Sequence, residues 1–472
     1  MEDAIGTIKS LVQMDMHEDA LSVLQKRGTP EDYINTGAAL LKRDQATMAA
    51  SVLETALSMA PGHPAAMANL SEAYKLIGAH ERALSLAMDT IRVHPTRLNI
   101  SRGFLLCLFL GEDPSRELLD AWRDMDVPTY TDRPRPLSID IRVGYLSHNM
   151  NAHSNASFLL PILRHHAPHI KPYVYSAGNY NDDTSRELGT LGKWRNFAGK
   201  STDERGQYIR RDQLDILVHL DGHYGSGSDI IERQCAPLQV SYLGYPGPTY
   251  QAVDYRISDR TADPVDTGKG EPILYTDGPF LTFEALKTAD ITEREPGPVV
   301  FGSFNSWGKM SKACTDAWNS ILDKTGGKLL LKARVFRDRA FAETVTKLFK
   351  GRAECRPITD TREEHMAMYN EVDIALDPHA YTGTTTTCEA LHMGVPVITL
   401  AGSTPQARAS AAVMPFPEWI TDNIPDYIAK AVSLAGDLPN KHATAGRFQE
   451  SSNPARLTAS LEQIYQEIRR TQ

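Results

Sequence analysis

From residue 140 onward the chain alternates short apolar runs with helix-length amphipathic stretches, and it does so twice. The first series opens with 140-DIRVGYLSHNM-150, a β-branched run closed by Gly and Ser. It continues through 172-PYVYSAG-178, 215-DILVHLDG-222, 239-QVSYLGYPG-247 and 255-YRISDR-260, with helical stretches such as 203-DERGQYIRRDQ-213 between them. After about residue 284 the pattern restarts with 299-VVFGSFNS-306, 328-KLLLKA-333, 372-VDIALDP-378 and the VPVITLAG run that ends at residue 402. Helical stretches 311–325 and 340–350 intervene, and 453-NPARLTASLEQIYQEIRR-470 closes the chain as a helix. Strands alternating with helices predict parallel sheets covered on both faces, so the expected class is α/β with two Rossmann-like lobes. Ligands of such sheets bind beyond the carboxyl ends of strands, which places the expected chemistry in a cleft between the lobes.

The preceding 125 residues follow a different rule. They are rich in Ala, Leu and Met at helical spacing, and a shift of 34 positions lays Pro61 on Pro95, Ala39 on Ala73, Leu40 on Tyr74, Ala49 on Ala83 and Leu57 on Ile91. A 34-residue helix–turn–helix period with small residues at the crossings resembles the tetratricopeptide repeat. A plain helical bundle is the other reading. Residues 11–28 read as part of a further unit and 98–124 as a capping pair. Such an array presents a groove to peptides or, when short, a packing shoulder for the next domain. The proline-rich stretch 127-VPTYTDRPRPLSID-140 reads as a linker. The expected organisation is thus a repeat domain at 1–126, a linker at 127–139, a first lobe at 140–284 and a second lobe at 285–472.

Composition narrows the function classes. A formal charge of -9 argues against a nucleic-acid binder, which would carry a basic domain or stripe. Five scattered cysteines, none in CxxC spacing, imply reduced thiols and no zinc site. The N-terminus is acidic with no apolar h-region, and no run approaches the ~18 apolar residues of a membrane span, so a cytoplasmic protein without membrane contact is expected.

Chemistry-bearing residues gather at expected strand ends. Four consecutive threonines, Thr384 to Thr387, stand between Gly383 and a helical CEALHMG, where unpaired N–H groups and the helix dipole suit a phosphate. A threonine-rich helix cap would look the same. Glu389, one turn into that helix, could accept from ribose hydroxyls as acidic residues do in other nucleotide sites. Lys309 follows the first strand of the second lobe and could neutralise a phosphate as a point charge, while Arg362 and His365 sit in 358-ITDTREEHMAMY-369 ahead of the next strand. In the first lobe His153 follows the opening strand and is a candidate to position or deprotonate an acceptor. Asp221, His223 and Tyr245 stand at two further strand ends and are cleft candidates. There is no GxxxxGK[ST], GxSxG or HExxH, and the single DxD, Asp124 to Asp126, precedes the first strand. A diphosphate would have to be stabilised by protein charges and helix-end amides, with no metal and no cofactor.

Taken in order, RVGYLSHNMNAHSNASFLLP, DILVHLDGH, APLQVSYLGYPGPT with DYRISDR, FGSFNSWGKMSKACTDAWNSIL, TREEH and YTGTTTTCEALHMGVPVITLAG resemble the O-GlcNAc transferase and SPINDLY family over roughly residues 30–470. That resemblance implies an inverting glycosyltransferase of GT-B fold behind tetratricopeptide repeats. Carried over, His153 matches the histidine at the donor–acceptor junction, Lys309 the lysine at the nucleotide diphosphate and Glu389 the ribose-binding acid. His365 matches the histidine of a KEEH-like motif, in which Arg362 replaces lysine; Thr384, Thr385 and Thr386 match the phosphate-binding helix start. Asp215 stands where animal members carry histidine, and the short array without a long insertion between lobes resembles bacterial members. The implied activity is metal-independent protein O-glycosylation, with UDP-GlcNAc as first donor, GDP-fucose as second, and an acceptor protein held by repeat groove and cleft. A non-catalytic repeat scaffold is the competing class. If the array only presents the acceptor, residues 1–125 should be removable without loss of nucleotide binding.

Overall fold

Proline opens the first helix of each repeat. In a computed structural model describing Ile8, residues 10–14, 16–130, 139–225 and 227–470, Thr29 and Asp32 form a reciprocal capping box around Pro30. Helices Pro30–Lys42 and Pro64–Leu76 begin 34 positions apart, as do Ala46–Met59 and His80–Val93. The expected register is therefore the observed one. Small residues sit where helices cross: Ala49, Ala56, Ala66, Ala73 and Ala83 are fully buried. Helix Arg97–Leu110 is apolar all round over its second half, Phe104 to Leu110, and buried along most of its length, and Arg116–Arg123 follows it as its partner. The linker expected at 127–139 lies outside the described residues from 131 to 138.

The chain forms two compact units. One joins residues 1–125 to 296–360 and 378–381; the other contains 126–295, 361–377 and 382–472. In the first, the repeat helices pack directly on later elements. Asp44 accepts from Arg334 Nε and Arg337 Nη1, Asp338 accepts from the Thr47 amide, and the Trp307 indole N–H donates to the Ile77 carbonyl. Strands β8 (Val300–Ser303), β9 (Lys328–Lys332) and β10 (Ala353–Arg356) of this unit run parallel. A turn of the array thus touches the turn that carries Lys309, through Ile77 and Trp307.

In the second unit, seven parallel strands take the order β3-β2-β1-β4-β5-β6-β7. They are β1 (Ile141–Ser147), β2 (Ile170–Ser176), β3 (Lys193–Asn196), β4 (Ile216–His219), β5 (Leu238–Ser241), β6 (Tyr255–Ser258) and β7 (Ile273–Tyr275). β1 pairs with both β2 and β4, so the order reverses between β1 and β4, where ligands of doubly wound sheets bind. Sequence reading found the buried strands and missed β3, β7, β10 and the two-residue strand Ile420–Thr421; all are short, and β3 and β10 are polar and partly exposed. The same unit holds parallel β11 (Ile374–Leu376), β12 (Val397–Leu400) and β13 (Ile420–Thr421). The closing helix Pro454–Arg470 locks onto the seven-stranded sheet: Glu462 accepts from the Ala167 amide, and Arg469 pairs with Asp215 at 2.8 Å.

Candidate active site

At the point where the strand order reverses, Asp221 ties the end of β4 to the end of β1. Its buried carboxylate accepts from Ser147 Oγ at 2.6 Å, from the His148 amide, and from Asn155 Nδ2 at 3.1 Å. Burial pushes this carboxyl up to about 7 against the pull of those three donors. All three partners flank His153, so Asp221 holds the loop that carries it.

His153 caps helix Ser154–His165, its Nδ1 accepting from the Asn155 amide at 3.2 Å. A backbone amide can only donate, so the neutral ring carries its proton on Nε2. Burial first, then the charges of Arg362 and His148, lower its pKa to about 4. At neutral pH His153 therefore offers an N–H, and of its two expected roles this geometry supports positioning over proton abstraction. His223 donates Nε2–H to the Thr249 carbonyl at 2.7 Å, and its ring meets that of Tyr245 edge-on at 5.4 Å. Both are buried. Adjacent in sequence, Asp221 and His223 serve different anchors.

Glu389 is the centre of a second cluster. Only 2% exposed, it accepts from Arg362 Nη2 at 2.7 Å through one oxygen and from His365 Nε2 at 2.8 Å through the other. Tyr369, missed in the sequence, adds its hydroxyl at 3.4 Å from Glu389 and 3.3 Å from the Thr386 carbonyl. Its signal was the four-residue spacing from His365, which puts both on one helical face. Three residues expected to touch a ligand separately form one network, in which the guanidinium offsets the buried carboxylate. An ionised carboxylate offers about four acceptor sites, so capacity for a ligand hydroxyl remains.

The threonine run divides its labour. Thr387 is turned inward to Ser410 Oγ at 2.8 Å, and the Thr384 amide donates to the same hydroxyl at 3.2 Å. Thr384 holds φ 51, ψ -83, a region costly for any residue with a β-carbon, and its side chain provides no cap. The first intrahelical bond runs from the Cys388 amide to the Thr384 carbonyl, so the opening turn of helix Thr385–His392 lies ahead of its hydrogen-bonded ladder. The Gly383 amide donates to Asp377 at 2.7 Å, and a β-carbon there would come 2.4 Å from Thr386 Oγ1. Packing is thus what requires glycine at this position.

In the other unit Lys309 ends a 3-10 turn, Trp307–Lys309, and is half-buried. Its ammonium lies 4.1 Å from the centre of the Tyr381 ring.

Two α/β sheets, a capping histidine after the first strand, a threonine-rich helix start and a buried acid one turn on define a pattern that can be compared with known proteins. The family model described as glycosyl transferase family 41 matches residues 127–275 and 289–464. This chain belongs to glycosyl transferase family 41. Among the relatives of this family-41 chain, an Arabidopsis thaliana protein named probable UDP-N-acetylglucosamine–peptide N-acetylglucosaminyltransferase SPINDLY is 31% identical over 74% of this chain and 42% of its own length. A Solanum lycopersicum protein of the same name is 27% identical over 80% of this chain and 45% of its own. The chain thus spans less than half the length of these curated relatives. A mutant of the Thermobaculum terrenum O-GlcNAc transferase superposes with TM-score 0.85 at 25% identity, covering 100% of this chain and 98% of that one.

Within the family-41 pattern, Asp215 is a structural residue. It precedes β4, accepts from the Arg142 amide at 2.8 Å and pairs with Arg469, far along the strand from the end where Asp221 lies. Among the described residues no group of three or more His, Cys, Asp or Glu side chains is arranged to hold a metal ion. No helix among them is long and apolar enough to cross a membrane.

Proposed function

We propose that this chain transfers a sugar from a nucleotide-sugar donor to a hydroxyl of an acceptor protein, with inversion and without a metal ion. The observation that carries this reading is the cluster around Glu389 one turn into the helix that starts at Thr385. Thr385 and Thr386 amides suit a diphosphate, and a buried carboxylate with spare acceptor capacity one turn on suits ribose hydroxyls. The acceptor oxygen attacks the anomeric carbon opposite the departing diphosphate. Negative charge grows on that leaving group, and Lys309 answers it as a point charge. His153 donates Nε2–H to an oxygen of the reacting pair, and the acceptor proton passes to another base. UDP-GlcNAc is the first donor, supported by the names of the relatives, and the repeats hold the acceptor protein in the cytoplasm.

The test is a thermal-shift panel of UDP-, GDP- and CMP-sugars followed by intact-mass analysis of co-expressed proteins. A ligand at 100 times its Kd stabilises by about 2.7 kcal/mol. Stabilisation by a UDP sugar and added hexosamine mass, both retained in EDTA, are expected. Stabilisation by GDP-fucose with deoxyhexose mass moves the donor assignment, and no stabilisation by any of them defeats the reading.

A further inference from the structure

Lys309 does not stand on its own turn alone. Its ammonium rests over the face of Tyr381 at 4.1 Å, Tyr381 leans on Phe109 with centroids 5.5 Å apart, and Phe109 stacks on His80 at 5.7 Å with planes 5° apart. Phe109 and His80 belong to the last long helices of the repeat array, Arg97–Leu110 and His80–Val93. A second route joins the same helices to the same turn. The Trp307 indole donates to the Ile77 carbonyl at 3.3 Å, three residues ahead of helix His80–Val93. Gly78, at φ 84, lets the indole approach: a β-carbon there would lie 3.1 Å from its nitrogen. Lys309 is thus flanked on one side by a turn pinned to the repeats and on the other by a ring pinned to them.

We propose that Phe109 is a positioning residue for Lys309, acting through the Tyr381 ring, so that the repeat array sets where this charge stands. The attraction between an ammonium and an aromatic face is confined to about 6 Å of the centroid, so a tilted or retracted Tyr381 ring releases the lysine into other rotamers. Phe109 fills the space that keeps the ring in place, and its own partner His80 is 7% exposed and cannot retreat. The proposal rests on the reading of Lys309 as the group that answers the diphosphate, but the location of the ammonium can be read without any nucleotide.

The experiment uses the full-length protein with its lysines reductively methylated with ¹³C, the Lys309 signal being the one absent from Lys309→Ala. Over an aromatic face that signal is shifted upfield. It is expected to keep its shift in Phe109→Tyr and to lose it in Phe109→Leu and in Tyr381→Leu, all three melting as cooperatively as the parent. An upfield signal that persists in Phe109→Leu overturns the proposal; if that variant fails to fold, persistence in Tyr381→Leu does the same. Calorimetric titration with UDP and GDP supplies the second arm. Phe109→Leu is expected to weaken the preferred nucleotide about tenfold in the parent and to add nothing to Lys309→Ala, since the effect runs through that side chain. Equal weakening in both backgrounds overturns the proposal. Unchanged binding by Lys309→Ala, with the NMR shift behaving as expected, instead defeats the assignment of Lys309 to the diphosphate and leaves its positioning by Phe109 standing.

Discussion

At the scale of single residues, charge and proton position decide what each group can do. Lys309→Ala removes a contact that strengthens as the leaving group departs, and steady-state rates are expected to show kcat lower by about 10²–10³ with the fold intact. Near-parental turnover would take Lys309 out of the mechanism. His153 is a donor at neutral pH because its Nδ1 is occupied by the Asn155 amide and burial holds its pKa near about 4. His153→Gln retains an N–H donor and is expected to keep more activity than His153→Ala, with no change in the acid limb of the pH–rate profile. Loss of a limb near pH 6–7 in His153→Gln would show instead that the ring takes the proton. Asp221 and Tyr369 make the complementary point. Neither announces a role by type, and both are defined by what they hold.

Among elements, the helix start at Thr385 is the most constrained. Ser410 binds the Thr384 amide and the Thr387 hydroxyl, Asp377 binds the Gly383 amide, and Thr384 is left at φ 51. Such a conformation costs of order 1–3 kcal/mol for a residue with a β-carbon, and glycine relieves most of it while adding some unfolded-state freedom. Thr384→Gly is therefore expected to raise stability by about 1 kcal/mol and to slow transfer, because the amides of the first turn lose their fixed direction. Calorimetric melting and initial rates check both halves. A lower melting temperature would show that the surroundings favour threonine there. The alternation that marked the strands at 141–147, 216–219 and 374–376 was legible because those strands are buried on both faces and read as unbroken apolar runs. Strands such as 193–196 and 353–356 were not, since an edge strand needs only one apolar face and here has little of that.

For the whole molecule, acid stability follows from buried titratable groups. His153, His219 and His379 are each lowered to about 4 by burial, so the unfolded chain binds their protons first as pH falls from about 6.5. Asp221, raised to about 7 by burial, works the other way and binds its proton more tightly when folded. Burial also lowers His80 and His392 and raises Asp215 and Asp259, so lowered histidines outnumber raised carboxyls and stability falls on acidification below about pH 6.5. Melting temperatures recorded from pH 7 to 4 are expected to drop steadily; a rise would mean that the carboxyls dominate. Deleting residues 1–125 is expected to yield aggregated protein on size-exclusion chromatography. The cut would expose Trp307, Phe336 and Tyr381 and break the Asp44 pairs with Arg334 and Arg337. A soluble truncated chain that binds nucleotide with parental affinity would make the array a separable arm after all.

The sequence by itself determined the periodicities: 34 residues in the repeats, and the strand–helix alternation that admits only parallel, doubly covered sheets. Both are local patterns of burial, written along the chain by the spacing of apolar residues. It also determined which chemical groups stand at strand ends, enough to single out His153, Glu389 and the threonine run. What it left open were pairings between distant segments. Only the tertiary structure joined Arg362, His365 and Tyr369 to one oxygen pair of Glu389, turned Thr387 away to Ser410, and put the proton of His153 on Nε2. It alone seated Lys309 on Tyr381 and Tyr381 on a repeat helix. Apart from the local cap at His153, each depends on directional bonds or ring contacts between residues 20 or more apart in the chain, whose geometry is set by the packing of whole elements and leaves no trace in the spacing of the residues that make them.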